Sequence, residues 1–417
     1  MWVAAGLIVL VGAACFIELT TRFPDDAGGD YAYLKRAYGQ PIAFMFAWSA
    51  FWIVRPSNIG IMATLFGIHF AQIIATIPLV DQLSGTTVQL LSSILAILAL
   101  TAGNILGIQN GKLAQNILTF AKVAGIGLII LLAFMHPVRD AVAPVEPTWE
   151  IKSLWLALVF VMFSFGGWND MAMIANEIRN PEKNLWRCLI FGVGIVTLVY
   201  VLFNVALAVG LGQASMAASK SPAITLVATA LGGEGFFAER ASELVAALIC
   251  ISCLGAVNGM IITSPRIYYA VGRDYPALKF LSSWNDQRSC PWQALLLQAI
   301  VTISLILFCI TYRLKAIEIF DVLLVASAPY FWTFLGATVL TLLVFRGRDK
   351  KKGTHFRLPL FPFEPIFFAI VCAGLTYNAI EYLIFQGFQM IALAIGGMMI
   401  VGVVLSLLLS VKTNQPS

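Results

Sequence analysis

Long apolar runs, separated by short polar segments, follow one another along almost the whole chain. A helix that crosses a bilayer needs about 20 mostly apolar residues, and eleven runs are of that order. They lie near 2–20, 41–73, 87–103, 113–135, 153–177, 189–211, 242–270, 292–311, 317–345, 365–384 and 390–411. None of them keeps the strict alternation of a half-buried strand. The pattern therefore predicts an all-α protein with eleven transmembrane helices, each of which satisfies its own backbone polar groups.

The composition agrees with a membrane as the main solvent. Of the 417 residues, 60% are hydrophobic and 11% are charged, and the mean hydropathy is +0.88. Soluble domains carry about 25% charged residues. Because the loops between the apolar runs are too short to hold a soluble domain, the chain is predicted to be an integral membrane protein throughout.

Lysine and arginine are distributed unequally between alternate loops, and this predicts the orientation in the membrane. One set of loops holds 18 of these residues: Arg22, Lys35, Arg36, Lys112, Arg179, Lys183, Arg187, Arg266, Arg273, Lys279, Arg288, Arg346, Arg348, Lys350, Lys351, Lys352, Arg357 and Lys412. The other set holds 6: Arg139, Lys152, Lys220, Arg240, Arg313 and Lys315. The larger set and the C-terminus are expected to be cytoplasmic, in a bacterial inner membrane. The basic cluster at 346–357 could also bind lipid headgroups or nucleic acid, but the loop asymmetry explains it, so no nucleic-acid partner is expected.

The fifth apolar run contains the stretch FSFGGWND at 163–170. Two adjacent glycines, an indole, an amide and a carboxylate lie about midway along a segment that is otherwise typical of a membrane helix. Paired glycines often only allow close helix packing. Trp168, Asn169 and Asp170, directly after them, favour a helix that is broken inside the membrane. Irregular backbone at that depth must face protein or a water-filled cavity.

A break of this kind predicts a site for a zwitterion. The outer half-helix would end with the carbonyl groups of about 162–165 at its negative dipole end, which suits an ammonium group. The inner half would begin after Gly167 with N–H groups of the opposite polarity, which suit a carboxylate. An α-amino acid carries both charges close together, so it fits such a junction.

Several segments of the chain resemble the L-type amino acid transporter family of the amino acid, polyamine and organocation superfamily. The run FSFGGWNDMAMIANEIRNPEKN at 163–184 is similar to the sixth-helix signature of that family. Further similar segments, in the family's order, are CFIELTTRFPDDAGGDYAYLKRAYG at 15–39, FWIVRPSN at 51–58, QNILTFAKVAGIGLII at 115–130, GAVNGMIITSPRIYYAVGRD at 255–274, TVLTLLVFR at 338–346 and FRLPLFP at 356–362. They resemble the regions of its second, third, fifth, eighth, tenth and eleventh helices.

The resemblance implies a LeuT-like fold of twelve helices, in which two inverted five-helix repeats meet at broken first and sixth helices. The chain would form one permease domain, with the rest of the first repeat at 1–135, the second repeat at 153–345 and two additional helices at 365–411. It would begin at the family's second helix, which agrees with an odd number of spans. Since the family's first helix supplies half of the site, a protein that begins at Met1 is expected not to transport.

Lys122 lies deep within an apolar run, where an ionised side chain costs roughly 2.5–3.5 kcal/mol on insertion scales. Its ammonium group could extend to the interface along the helix. By resemblance, Lys122 matches the lysine that takes the place of bound sodium in sodium-coupled relatives and links the first and eighth helices. This role implies sodium-independent transport without a metal or another cofactor.

The resemblance also implies which side chains contact the substrate. Phe163 matches an aromatic residue that covers the substrate from outside, and Trp168 matches a pocket indole, although membrane aromatics more often pack or anchor. Asn258 matches a position near the site, but asparagines in membrane helices equally often join two helices by a hydrogen bond. Arg55 and Glu18 are expected to be structural ion-pair or hydrogen-bond partners. The expected substrate site is Phe163, Ser164, Phe165, Gly166, Gly167, Trp168, Asn169 and Asn258, with Lys122 at the sodium position.

Other candidate chemistry is weak. Cys250 and Cys253 form a CxxC inside an apolar run without a nearby histidine, so a metal or redox site is not expected. No grouping of serine, histidine and acid indicates a catalytic residue. The loop at 73–87 contains no cysteine, whereas animal heteromeric members of the family use one there to bond a heavy chain. A disulfide-linked heavy chain is therefore not expected.

These observations predict a secondary transporter that exchanges neutral L-amino acids by alternating access, without sodium. Two other classes stay open. A transporter-derived sensor, or a non-transporting fragment, would bind an amino acid without moving it. A membrane enzyme would need acid clusters or metal ligands that the loops do not supply.

Overall fold

A computed structural model describes residues 1–24, 26, 28–75, 77, 83–138, 151–178, 181–219, 221–231, 240–311, 316–348, 356–385 and 389–413. The regular structure of these residues is helical, apart from an isolated bridge between Asn285 and Cys290. The all-α prediction is therefore confirmed. Some of the cationic residues used to predict the orientation lie outside the described residues: Arg139, Arg179, Lys220, Arg313, Lys315, Lys350, Lys351 and Lys352.

The helices follow in chain order. They are α1 (Trp2–Arg22), α2 (Asp30–Tyr38), α3 (Gln40–Ser49), α4 (Arg55–Ile74), α5 (Gly85–Leu106), α6 (Ile108–Met135), α7 (Ile151–Ser164), α8 (Pro181–Leu211), α9 (Gln213–Ala218), α10 (Pro222–Ala230), α11 (Ala241–Thr263), α12 (Pro265–Asp274), α13 (Trp292–Thr311), α14 (Ala316–Arg348), α15 (Phe363–Phe385) and α16 (Gln389–Thr413). A π-helical turn, Ala50–Val54, joins α3 to α4, and 3₁₀ segments lie at Trp168–Glu177 and Pro276–Ser282.

Nine helical stretches within the described ranges are long and apolar enough to span a bilayer. Two shorter apolar helices, Ala157–Met173 and Gly396–Leu408, coincide with the two other predicted spans. All eleven predicted positions are thus helical, and the chain is a multi-pass integral membrane protein. Since these two helices are not among the nine, the count of eleven stays a prediction. Short helices such as α2, α9 and α10 lie between the spans and are not indicated by the hydropathy pattern.

Helix α4 packs against four other long helices, α5, α11, α13 and α14. The π-helical turn before it is explained by Pro56, which has no N–H to close the preceding turn. Arg55 instead donates its N–H to the carbonyl of Ala50, five residues earlier. Interrupted helices commonly take this form, often near functional sites. The Arg55 side chain lies in the interior and is 5% exposed.

A buried ion pair joins α1 to the end of α14. Glu18 is fully buried, and its carboxylate accepts two hydrogen bonds from the Arg346 guanidinium, at 2.8 and 2.5 Å. The N–H of Leu358 donates a third, at 2.8 Å. The expectation that Glu18 is a structural ion-pair partner is confirmed.

Candidate functional site

The helix break that the sequence predicts is present. Helix α7 ends at Ser164 and the 3₁₀ segment begins at Trp168, so Phe165, Gly166 and Gly167 lie outside regular helix. Gly167 has φ +102°, which residues with a side chain rarely adopt. A Cβ added at Gly167 would meet no atom within 4 Å. Gly167 is therefore not required for close packing. Its role is to allow the backbone to turn.

Three consecutive N–H groups at the break have no hydrogen-bond acceptor among the described residues. They belong to Gly167, Trp168 and Asn169, whereas the N–H of Asp170 donates to the Gly167 carbonyl at 3.2 Å. They are the first donors of the inner segment, and the start of a helix leaves such donors without intrahelical partners. Adjacent donors at the positive end of a helix dipole suit an anionic group.

The carbonyl groups on the outer side of the break are partly engaged. Those of Met162 and Phe163 accept bonds from the N–H groups of Phe165 and Gly166, at 3.2 and 2.9 Å. The carbonyls of Phe165 and Gly166 themselves accept no bond within the part of the chain that the structure describes. Of the two available acceptors, Phe165 lies within the predicted range 162–165 and Gly166 lies one residue beyond it.

Tyr200 of α8 supports the break from the side. Its hydroxyl donates to the Ser164 carbonyl at 2.6 Å, and its ring packs edge-on against Phe165 with centroids 5.1 Å apart. Trp2 of α1 also packs against the Tyr200 ring, with centroids 4.9 Å apart. The sequence alone does not point to Tyr200, because a phenol in an apolar run is as often a packing residue.

The two predicted aromatic contacts have different surroundings. Phe163 is partly buried and lines a cavity of about 30 Å³ between α7, α14 and α15, opposite Trp332. Trp168 packs edge-on against Phe16 and Phe368, with ring centroids 5.2 and 5.8 Å away. Phe163 thus borders a space, whereas Trp168 is held in aromatic packing on α1 and α15. Their contacts with a substrate stay predictions.

The inner side of the break leads into a buried polar cluster. Asp170 accepts hydrogen bonds on Oδ2 from the Arg55 guanidinium at 2.9 Å and from the Thr263 hydroxyl at 3.0 Å. The predicted ion-pair role of Arg55 is confirmed. Asn169 is 3% exposed, and its Oδ1 has no hydrogen-bond partner in the described residues. Its side chain is therefore buried on the inner side of the break.

Lys122 lies on α6 and is half-buried. Helix α6 packs against α11, and Cys253 of α11 is a neighbour of the Lys122 side chain. It makes no hydrogen bond or ion pair with the residues that the structure describes. Helix α11 contains the start of the segment that resembles the family's eighth helix. This position agrees with the predicted link from Lys122 to the family's eighth helix. The role of Lys122 in place of sodium stays a prediction.

Asn258 joins three helices through its side chain. It accepts a hydrogen bond from Asn104 at 2.8 Å and donates to the Gly111 carbonyl and to Gln115 Oε1, both at 3.0 Å. These contacts connect α11 with α5 and α6. The helix-joining use of Asn258 is therefore present, and its part in substrate binding stays a prediction.

A sequence model of the amino acid permease family matches residues 1–408. The chain belongs to the amino acid permease family. The permease is 28% identical over 374 residues to b(0,+)-type amino acid transporter 1 of Mus musculus, across 87% of the chain and 71% of that relative. It is 26% identical over 367 residues to the serine/threonine exchanger SteT of Bacillus subtilis, across 88% and 78%. It is 28% identical over 322 residues to the large neutral amino acids transporter small subunit 2 of Homo sapiens, across 75% and 58%.

Membership of this family makes the permease an amino acid transporter and not an enzyme. The resemblance to L-type transporters is confirmed by the same relatives. In the permease, irregular backbone and N–H groups without acceptors thus occur together at the broken helix. Other transporters with discontinuous helices bind their substrates at such breaks.

Two polar residues on the inner side of the permease's break carry no signal in the sequence. The Thr263 hydroxyl also lies 3.1 Å from the Gly259 carbonyl of its own helix, a second acceptor for its single proton, and this is the acceptor expected for a threonine in an apolar helix. Asp30 follows two glycines in a loop, where an exposed carboxylate is expected, yet it is 2% exposed. It lines one small cavity together with Arg55 and Asn169.

Proposed function

We propose that the permease exchanges neutral L-amino acids across the membrane and binds them at the break after α7. The carboxylate of the substrate is bound by the N–H groups of Gly167, Trp168 and Asn169, and the ammonium group by the carbonyls of Phe165 and Gly166. The observation that carries this proposal is that these donors and acceptors, which lie next to each other in the chain, have no partners among the described residues. Fixed peptide dipoles then replace part of the hydration that the zwitterion loses.

The surroundings of the break favour neutral side chains. The segment 163–169 contains no acidic residue, and the carboxylate that follows, Asp170, is committed to Arg55 and Thr263. A cationic side chain would find no counter-charge there. The names of two relatives specify neutral substrates, serine and threonine in one case and large neutral amino acids in the other. In this proposal Phe163 and Ser164 border the substrate side chain, and Asn258 supports the site from α11.

Lys122 is proposed to hold the position of a coupling cation, so transport does not require sodium. Its half-buried ammonium group lies within α6, an apolar helix. A fixed positive charge at that depth would repel a bound metal ion. A cofactor is likewise not part of the proposed mechanism.

Alternating access would move the bundle that contains the broken helix against the rest of the protein. The proposed division is that of two repeats, at 1–135 and 153–345, followed by two additional helices at 365–411. The proposed setting is a bacterial inner membrane with the C-terminus in the cytoplasm, and no disulfide-linked heavy chain is included.

Counterflow in proteoliposomes tests the proposal. Vesicles with the purified chain are loaded with unlabelled L-serine, L-threonine or L-leucine, and the uptake of the labelled amino acid is measured in sodium chloride and in choline chloride. We expect uptake that requires the internal amino acid, is equal in both salts, and is not supported by internal L-lysine or D-serine.

Uptake into unloaded vesicles at the same rate, or a requirement for sodium, would contradict the exchange mechanism. Saturable binding of L-serine to the purified chain without counterflow would instead favour a transporter-derived sensor. Absence of both binding and flux would overturn the site itself.

A further inference from the structure

Two carboxylates and a single guanidinium lie together on the inner side of the break. Asp30, Arg55 and Asp170 are 2%, 5% and 9% exposed. Arg55 pairs with Asp170 at 2.9 Å, whereas no ion pair joins Arg55 to Asp30 in the described residues. If both carboxyl groups were ionised, the cluster would carry an uncompensated negative charge. A buried ion without a partner is strongly unfavourable.

The surroundings of Asp30 supply few donors to an ionised carboxylate, namely the Thr338 hydroxyl and the N–H of Asp30 itself. Its Oδ1 is buried without a hydrogen-bond partner in the described residues, and so is Asn169 Oδ1. Both residues line a cavity of about 20 Å³ with Arg55 and Ser49, which is room for one water molecule. The Ser49 hydroxyl is already donated to the Phe46 carbonyl, at 2.8 Å. A proton on Asp30 Oδ1 would provide a donor for this cavity, which the amide oxygen of Asn169 cannot do.

Burial raises the pKa of the Asp30 carboxyl to about 7. The Arg55 guanidinium, the Thr338 hydroxyl and the N–H of Asp30 itself oppose this shift, whereas the charge of Asp170 adds to it. The other ionisable groups packed around α2 have partners of their own or are phenols. They are the phenols Tyr31, Tyr33, Tyr268, Tyr275 and Tyr330, the pairs of Lys35 with Asp274 at 2.7 Å and of Arg36 with Asp26 at 2.5 Å, Arg266, which donates to the Ile262 carbonyl, and Arg348, which donates to the carbonyls of Arg36 and Ala37. None of these groups supplies a second cation beside Asp30.

We propose that the Asp30 carboxyl is a proton-binding site of the permease, which holds a proton while Arg55 is paired with Asp170 and releases it when Arg55 changes partner. This rests on the proposed alternating-access function, because Asp170 belongs to the broken helix that moves and Asp30 to the short helix α2.

The step can be written with its proton balance. In the described conformation the neutral carboxyl of Asp30 keeps its proton, and Arg55 compensates the charge of Asp170. When the inner segment withdraws Asp170, the guanidinium has one carboxyl group left to pair with. The O–H bond of Asp30 then breaks, its proton passes to water on the cytoplasmic side, and an Arg55–Asp30 ion pair forms. One proton leaves for each opening, and no other co-reactant is required.

Infrared spectroscopy of the purified full-length chain tests the site without any substrate. We expect a carbonyl band of a protonated carboxylic acid in the wild type that disappears as the pH rises through about 7. The band should be absent in Asp30→Asn. It should also shift to a lower titration pH in Asp170→Asn, where Arg55 becomes available to Asp30. The control Asp286→Asn, an exposed carboxylate in a turn, should leave the band unchanged.

Thermal unfolding gives a second readout. A carboxyl whose pKa is raised in the folded state binds more protons there than in the unfolded chain, so stability is lost as the pH rises toward the folded-state pKa. The melting temperature of the wild type should therefore fall relative to that of Asp30→Asn between pH 5 and pH 8. Asp30→Asn matches the shape of the protonated form and is expected to fold; should it not fold, the Asp170→Asn titration decides.

A wild-type spectrum without the band, or a band that persists in Asp30→Asn, would overturn the proton site. These spectra contain no amino acid, so they are decided independently of substrate binding. A failure of L-serine to bind would contradict the proposed function while leaving the result for Asp30 intact.

Discussion

At the scale of single residues, the break depends on a few polar contacts from other helices. Tyr200 donates to the last carbonyl of α7, that of Ser164, and Arg55 and Thr263 engage Asp170 on the inner side. Each contact removes one group that would otherwise be unpaired inside the membrane. The donors and acceptors that remain between them are those assigned to the substrate.

The hydroxyl of Tyr200 is expected to position the break for binding. Tyr200→Phe removes the hydrogen bond to Ser164 and leaves its carbonyl without a partner, a change of about 1 kcal/mol. We expect the dissociation constant for L-serine, measured by radioligand binding, to rise about fivefold. Tyr377→Phe, on an exposed face of α15, is the matched control, and equal affinities of both variants would contradict the role of Tyr200.

At the scale of elements, the permease uses two different interruptions of helix. The π-helical turn before α4 keeps the helix continuous and sets Arg55 in the interior. The break after α7 ends the helix entirely, and Gly167 takes a positive φ there that a residue with a side chain could not adopt without strain. The first interruption follows from a proline and the second from a glycine.

Gly167→Ala isolates the backbone requirement of the break, because the added methyl group would meet no atom within 4 Å. Any loss of stability then comes from the positive φ, which costs roughly 1–2 kcal/mol for an L-residue. We expect a lower melting temperature together with loss of L-serine binding. Gly127→Ala, also without neighbours within 4 Å but inside α6, should leave binding unchanged and raise stability slightly, since alanine favours helix. Similar effects of the two variants would refute a special backbone at Gly167.

At the scale of the whole molecule, buried ion pairs connect segments that are far apart in the sequence. Glu18 and Arg346 are separated by 328 positions, and the Arg346 guanidinium also reaches the carbonyl of Leu358 at 3.3 Å. The pair ties α1 to α14 and to the segment that leads into α15. Exposed pairs such as Arg36 with Asp26 contribute much less, because water screens them.

Removing one partner of the buried pair should destabilise the protein strongly. Arg346→Ala leaves the fully buried carboxylate of Glu18 without its main counter-charge, a loss of about 3–5 kcal/mol. Thermal unfolding in detergent should show a large fall in melting temperature. Arg36→Ala, which breaks an exposed pair, should change it by little, and a fall as large as that of Arg346→Ala would contradict the argument.

Much of the architecture follows from the sequence alone. The eleven apolar runs coincide with helices because membrane helices need length and apolar side chains, and both are local properties. The break after α7 is also local, since adjacent glycines followed by Asn169 and Asp170 disfavour continuous helix wherever they occur. Family membership rests on the same linear pattern.

The sequence by itself therefore determined that the chain lies in a membrane, where its helices are and where the break lies. Only the tertiary structure decided which groups at the break stay unpaired and which polar residues face one another. Arg55 and Asp170 are 115 positions apart, and Asn258 bonds to helices that precede it by more than 140 positions. Such pairings depend on how whole helices pack. No local pattern shows that Arg55 pairs with Asp170, whereas Asp30, which lines the same cavity, makes no ion pair among the described residues.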